Sequence, residues 1–423
     1  MPRRSAAIFA WCLYDWAVTP FPTIVITFVF GNYFAKAIAS DPLAGSAGWS
    51  FMIALSGIAI AALSPLLGAV ADRMGHAKRG VGVSLLAVIV AGCALWFATP
   101  EAVSADRTLI AAGFGIVALE LGLLFYNALL PMVAPARLLG RVSGWGWAAG
   151  YSGGLACLAL ALFLLVQPAT PAFGIPKAAA ANIRACGPLV ALWAAAFGWP
   201  IFVFAPDTGG RDSGFGVAVR DGLSDLRKTI ARLREFPQLA RFLLASAIYR
   251  DGVTTILTVG GLYAGETFGM GFSELIAFGI GINVTAGLGA ASFAWIDDWL
   301  GSKTAILLAL AGLLLFGGAI ILVHDKGWFF GLALGLGLFV GPAQAASRSM
   351  VVRLAPPDAL GQFFGLYALT GRAASFVGPA LFGWATAALH SQRAGLTCIL
   401  ALLLAGAVLL LRVGEAPAAG PRI

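Results

Sequence analysis

About twelve stretches of roughly twenty predominantly apolar residues, parted by short polar loops, constrain this chain more than anything else in it. At about 1.5 Å of rise per residue, each is long enough to cross a hydrocarbon core about 30 Å thick as a helix. They fall at 7–37, 49–71, 80–99, 107–132, 141–167, 187–205, 239–264, 273–296, 303–323, 328–353, 361–389 and 394–412. Charged residues make up 11% of the chain, against about 25% in a soluble domain, so the blocks cannot be the buried helices of a soluble protein. The expected fold class is an all-α membrane protein of about twelve transmembrane helices.

An even number of spans puts both termini on one side. The termini and even-numbered loops hold 18 of the 27 lysines and arginines, and the odd-numbered loops hold six. Basic loops stay cytoplasmic, so both termini are expected in the cytoplasm, with a bacterial inner membrane as the expected location. The net charge of +8 therefore reports orientation and membrane lipid, with no nucleic-acid partner. Arg3 and Arg4 flank a first block that runs past Phe34 without a small-residue cleavage site, which predicts a retained first helix. Cys12, Cys93, Cys157, Cys186 and Cys398 show no metal-ligand spacing and read as packing residues. Glycine, 54 of 423 residues, suits close helix contacts in lipid, with pairs such as Gly146/Gly150, Gly331/Gly335 and Gly337/Gly341 at GxxxG spacing.

The chain also repeats itself. Ala134-Pro135, Leu139-Gly140 and Gly144 recur as Ala355-Pro356, Leu360-Gly361 and Gly365, each about 221 residues later, and Asp72 is answered by Asp298 about 226 residues later. Two parallel six-helix halves related by pseudo-twofold symmetry follow, at 1–206 and 239–423, joined by a linker at 207–238. In the linker Val219, Leu223, Leu226, Ile230 and Leu233 alternate at steps of four and three among basic residues. This predicts an amphipathic helix, either a docking segment or a tether on the anionic inner leaflet.

The loop after the second span reads Gly68-Ala-Val-Ala-Asp72-Arg73-Met-Gly75-His76-Ala77-Lys78-Arg79. It resembles the signature of the major facilitator superfamily, with His76 and Ala77 departing from the usual basic pair. Gly68, Asp72, Arg73 and Gly75, with Asp298 as the second-half counterpart, become candidate pieces of a cytoplasmic gate. A carboxylate at a helix end can pair with basic groups and helix N-termini across such a gate, holding one state of a two-state rocking motion. Further segments narrow the likeness: Trp11-Cys-Leu-Tyr14-Asp15-Trp16-Ala17, Tyr126-Asn127 with Pro131, Gly140-Arg141-Val-Ser143-Gly144, Tyr249-Arg250-Asp251-Gly252-Val253, Gln344-Ala-Ala-Ser347-Arg348-Ser349 and Phe363-Phe364-Gly365-Leu366-Tyr367. Together they resemble the vacuole effluxer branch, the autophagy-linked vacuolar amino-acid exporters and their bacterial relatives. The resemblance implies a secondary transporter working by alternating access, with an amino acid among its candidate substrates. Arg250 stands where this family often has Asn, which adds a charge near the expected pathway.

Six ionisable residues fall inside spans: Asp15, Glu120, Arg250, Asp251, Arg348 and Arg372. Each costs about 2.5 to 3.5 kcal/mol at mid-membrane, so each is expected to face a cavity or a partner. Two readings stand. In one, Arg250 or Arg372 meets a substrate carboxylate while Asp15, Glu120 or Asp251 carries a proton or cation; in the other, the six form ion pairs that set helix register. Tyr14, Trp16, Tyr126, Asn127, Tyr249 and Gln344 supply aromatic and amide contacts to a pathway. Pro20 and Pro22 are expected to break the first span in two.

Three functional classes follow. A secondary transporter of a small polar solute, an amino acid or short peptide among them, driven by a proton or cation gradient, leads; it needs a small-molecule substrate, a coupling ion and no cofactor, and is expected to be monomeric. A lipophilic drug or lipid exporter is the alternative, and a non-transporting sensor comes third. No enzyme is expected: no nucleophilic triad, P-loop or HExxH run is present, and the only histidines are His76, His324 and His390.

Overall fold

In the computed structural model of the chain, residues 2–39, 41–74, 76–207 and 235–414 are described. The linker helix expected over 207–238 lies almost wholly outside them, as does Gly75, and the Arg73 side chain is likewise not described. Eleven helices long and apolar enough to span a membrane run over Arg4–Ile38, Ala44–Asp72, Ala77–Phe97, Ala102–Val133, Ala136–Val166, Ala178–Phe204, Pro237–Phe268, Glu274–Leu300, Ser302–Leu322, Lys326–Leu354 and Gln392–Leu411. They are spans one to ten and twelve. Span eleven is two shorter helices, Leu360–Ala374 and Val377–Leu389. Large apolar side chains such as Phe51, Leu86, Leu315 and Trp384 point outward, as a lipid-facing surface requires.

The interruption in span eleven has a local cause. Pro379 has no N–H to return to the carbonyl of Ser375, and its ring crowds that carbonyl. The chain turns at Ser375 and Phe376 and restarts at Val377. Span one departs from expectation only in part: its α-helix ends at Val18, just before Pro20 and Pro22, but the span is not split in two. The helix widens into a π segment over Phe21–Phe28 and continues. Pro20 denies the Trp16 carbonyl its normal donor, and the indole Nε1 of Trp193 in span six donates to that carbonyl at 3.1 Å instead. With the stranded acceptor satisfied by a side chain, the segment stays helical.

Of the described residues, one compact unit draws on Met1–Leu63, Met74–Val133 and Ala149–Asp212. In it span three packs on spans four and six, and span one packs on span six. Gly92 and Gly187 allow spans three and six to touch backbone to backbone, since a Cβ at Gly187 lies 2.6 Å from the Gly92 carbonyl oxygen. The other unit draws on Ser64–Arg73, Ala134–Ala148 and Ser213–Ile423. Here span nine packs on spans ten and twelve, and span seven on span twelve, which repeats the first unit's pattern helix for helix. Gly337 and Gly341 are a working GxxxG pair, lying against Ile282, Thr285 and Ala286 of span eight, whereas Gly331 faces open space. This second unit contains the ends of spans two and five as well as spans seven to twelve.

Candidate functional site

Asp72 and Asp298, the residues expected at a gate, are two carboxylates that cap two helices. Asp72, in the last turn of span two, accepts the backbone N–H of Gly361 at 2.7 Å through Oδ1 and that of Gln362 at 2.8 Å through Oδ2. These amides open span eleven, where the first turn has no intrahelical acceptors and the helix dipole favours an anion. Asp298, in the last turn of span eight, accepts the N–H of Gly140 at 2.7 Å through Oδ1. Its Oδ2 takes the N–H of Arg141 at 3.3 Å and the Arg141 side-chain Nε at 2.7 Å. The two caps are copies of one another: the carboxylates are one repeat apart, and so are the capped amides, Gly140 and Gly361. The second cap carries an added arginine, Arg141.

Glycine makes the first cap possible. A side chain at Gly68 runs into the Gly361 carbonyl, and a Cβ at Gly361 sits 2.5 Å from the Gly68 oxygen and 2.7 Å from Asp72 Oδ1. The same end of the unit holds a second polar contact between spans. Arg348 of span ten is 5% exposed; its Nε donates to Ser143 Oγ at 2.9 Å and its Nη2 to the Ser143 carbonyl at 2.6 Å. Ser143 Oγ in turn donates to the Ala345 carbonyl at 2.8 Å, and the guanidinium lies over the Trp147 ring, 5.9 Å from its centroid.

In the first unit, Tyr14, Asp15 and Tyr126 come together in a packed cluster. Tyr126 Oη donates to Asp15 Oδ2 at 2.8 Å and is 3.0 Å from the Trp11 carbonyl. The Tyr126 ring stacks on Trp11 at 4.3 Å and on Tyr14 at 5.0 Å, while Trp11 Nε1 donates back to the Tyr126 carbonyl at 3.2 Å. All three rings are buried, so this cluster ties span one to span four. Trp16 stacks on Trp193 at 5.6 Å beside the proline-stranded carbonyl. Glu120 and Asn127 are part-exposed on span four.

In the second unit the span-seven triplet separates into three roles. Tyr249 is fully buried and lies 2.6 Å from Ser347 Oγ; because that hydroxyl donates to the Ala343 carbonyl at 2.5 Å, Tyr249 is the donor of the pair. Asp251, 3% exposed, accepts the Gly378 N–H at 2.6 Å and so caps the second helix of span eleven just past its break. Arg250 stacks on the Tyr367 ring at 4.0 Å and donates from Nη1 to the Tyr367 carbonyl at 3.2 Å. Gln344 and Arg372 are part-exposed, the latter in the last turn before the break.

Sequence reasoning did not select Ser143, Gly371 or Gly378 as functional positions. The signal for Gly378 was available in the Gly-Pro pair at the middle of an apolar block; Ser143 lies in the Gly140–Gly144 segment that carries the family resemblance.

The sequence matches the family described as "Vacuole effluxer Atg22 like" over residues 46–418. Among curated relatives, it is 27% identical to the uncharacterized MFS-type transporter YxiO of Bacillus subtilis, covering 98% of this chain and 96% of that protein. It is 28% identical to autophagy-related protein 22 of Cryptococcus neoformans over 62% of this chain, a match that spans 50% of the fungal protein. Among solved structures, the proton:xylose symporter XylE superposes with a TM-score of 0.77 at 14% identity, over 99% of this chain and 97% of that one. The human organic anion transporter MFSD10 does so with a TM-score of 0.72 at 17% identity, over 97% of this chain and 100% of that one. These likenesses establish a twelve-helix fold in two six-helix repeats.

Proposed function

Because the chain belongs to the vacuole effluxer Atg22-like family of the major facilitator superfamily, we propose that it is a secondary active transporter carrying a small polar organic solute across a membrane by alternating access. The observation that carries the reading is the pair of carboxylate caps. Asp72 and Asp298 hold the N-termini of spans eleven and five through hydrogen bonds to main-chain amides, contacts that can be broken and remade without unfolding either helix. Capping bonds of this kind suit a two-state latch, since each is strong enough to hold a closed gate and local enough to release it. In this reading the latch and both termini face the cytoplasm, which the clustering of basic residues in the loops at this end supports.

Transport is driven by a proton or cation gradient, with carboxylates inside the spans as the natural carriers, and the working unit is the monomer in a bacterial inner membrane. The family relationship makes an amino acid the first solute to test. Purified protein in proteoliposomes is expected to give saturable uptake or counterflow of a member of an amino-acid panel, changed by an imposed pH or sodium gradient. Absence of counterflow for every amino acid refutes the amino-acid form of the reading. Indifference to both gradients, with flux intact, refutes the coupling.

A further inference from the structure

Among the described residues Arg250 makes no ion pair, although it lies well inside span seven. Its neighbour Asp251 is committed elsewhere, to the Gly378 amide. Of five guanidinium donors, only one on Nη1 has an acceptor among the described residues, the Tyr367 carbonyl at 3.2 Å. Nε is buried and has no acceptor, and Nη2 makes no hydrogen bond to a described residue. The unused donors are not scattered. Nε–H and the adjacent Nη2–H point the same way and form the edge that grips a carboxylate with two parallel hydrogen bonds.

The surroundings hold that edge still. The Tyr367 ring covers one face of the guanidinium, with its centroid 4.0 Å from Cζ, and the Nη1 bond to the same residue's carbonyl fixes rotation in the plane. Gly371, one helical turn on in span eleven, is the seat for the group: a Cβ there lies 2.7 Å from Nη1 and 3.4 Å from Nη2. Any larger residue pushes the guanidinium off. Arg372 follows directly in the chain and adds a second cation to this part of span eleven. A buried cation that serves only to join helices is expected to use its donors on backbone or acid partners, as Arg348 does with Ser143. Arg250 is instead positioned with its strongest recognition edge unspent.

We propose that the Nε–Nη2 edge of Arg250, fixed by Tyr367 and seated against Gly371, is a receptor for the carboxylate of the solute, so that the substrate is a carboxylate-bearing compound. That this anion is cargo, rather than a bound regulator, rests on the transport reading given above.

Thermal unfolding of the full purified chain with acid and amide pairs at matched ionic strength tests it: L-leucine against L-leucinamide, lactate against lactamide, succinate against succinamide. At least one acid is expected to raise the melting temperature while its amide does not, because a ligand of the folded state stabilises by mass action. Arg250→Gln is expected to abolish the response. Arg250→Lys keeps the charge but loses the fork, and is expected to weaken the apparent affinity by about tenfold. Gly371→Ala keeps the arginine and displaces it, with a loss in the same direction, and decides the matter if Arg250→Gln does not fold. Equal stabilisation by acid and amide, no stabilisation by any acid, or an undiminished response in the variants overturns the assignment. An acid that stabilises through Arg250 yet shows no flux in proteoliposomes leaves the receptor standing and refutes the transport reading alone.

Discussion

Asp72→Asn is the most direct perturbation of the gate. The native carboxylate accepts two amide protons, at 2.7 and 2.8 Å, one on each oxygen. Asparagine keeps one acceptor oxygen, but its NH2 faces an amide N–H, so one hydrogen bond is replaced by a clash of donors and the other loses its charge. Bonds to an ionised acceptor contribute about 1.5 to 3 kcal/mol each and a neutral bond about 1 kcal/mol, so the closed contact weakens by at least roughly 2 kcal/mol. That shifts the latch equilibrium by about 30-fold. Ala69 reports the change because it lies beside Gly68 at the contact and is fully buried. In a chain whose five cysteines are replaced by serine, Ala69→Cys in inside-out vesicles is expected to react slowly with a membrane-impermeant maleimide. Asp72→Asn is expected to speed labelling by an order of magnitude or more. Asp298→Asn is expected to act alike, with the two effects additive, since the two carboxylates cap different helices. Unchanged labelling in the folded double variant Asp72→Asn/Asp298→Asn refutes the assignment of these carboxylates as the latch.

Other contacts give sharper structural tests. Tyr126→Phe removes the donor 2.8 Å from Asp15 and is expected to cost about 1 to 3 kcal/mol of stability, read as a lower melting temperature. Trp193→Phe deprives the Trp16 carbonyl of its indole donor and is expected to cost a similar amount, but markedly less in a Pro20→Ala background, where the chain itself regains the N–H; a double-mutant cycle with no coupling contradicts the account of span one. Asp251→Ala leaves the Gly378 amide uncapped, for an expected loss of about 1 to 2 kcal/mol, seen as faster amide exchange at the start of the second helix of span eleven.

Much of this was legible in the one-dimensional chain. Hydropathy is a local property when the solvent is lipid, because every span must satisfy its own backbone; the spans and their repeat could therefore be read without tertiary information. The similar spacings, 226 residues from Asp72 to Asp298 and 221 from Gly140 to Gly361, even marked these residues as counterparts in the two repeats. What each acid caps was not contained there, because Asp72 reaches amides 289 and 290 residues away.

The prolines divide the two kinds of knowledge. Pro379 splits its span in two and Pro20 does not, although the local chemistry is the same loss of one donor. At Pro20 a distant indole reaches the Trp16 carbonyl that the proline leaves without its usual donor. The buried charges divide in the same way. By themselves Arg250 and Asp251 are two adjacent ionisable residues in an apolar span, as fit to hold helices as to hold cargo. Packing then spends the carboxylate on a helix start and leaves the guanidinium's fork unused, because side chains about 100° apart on a helix meet different neighbours. Sequence by itself determined that charge enters this membrane; only tertiary structure decided which charge was already satisfied.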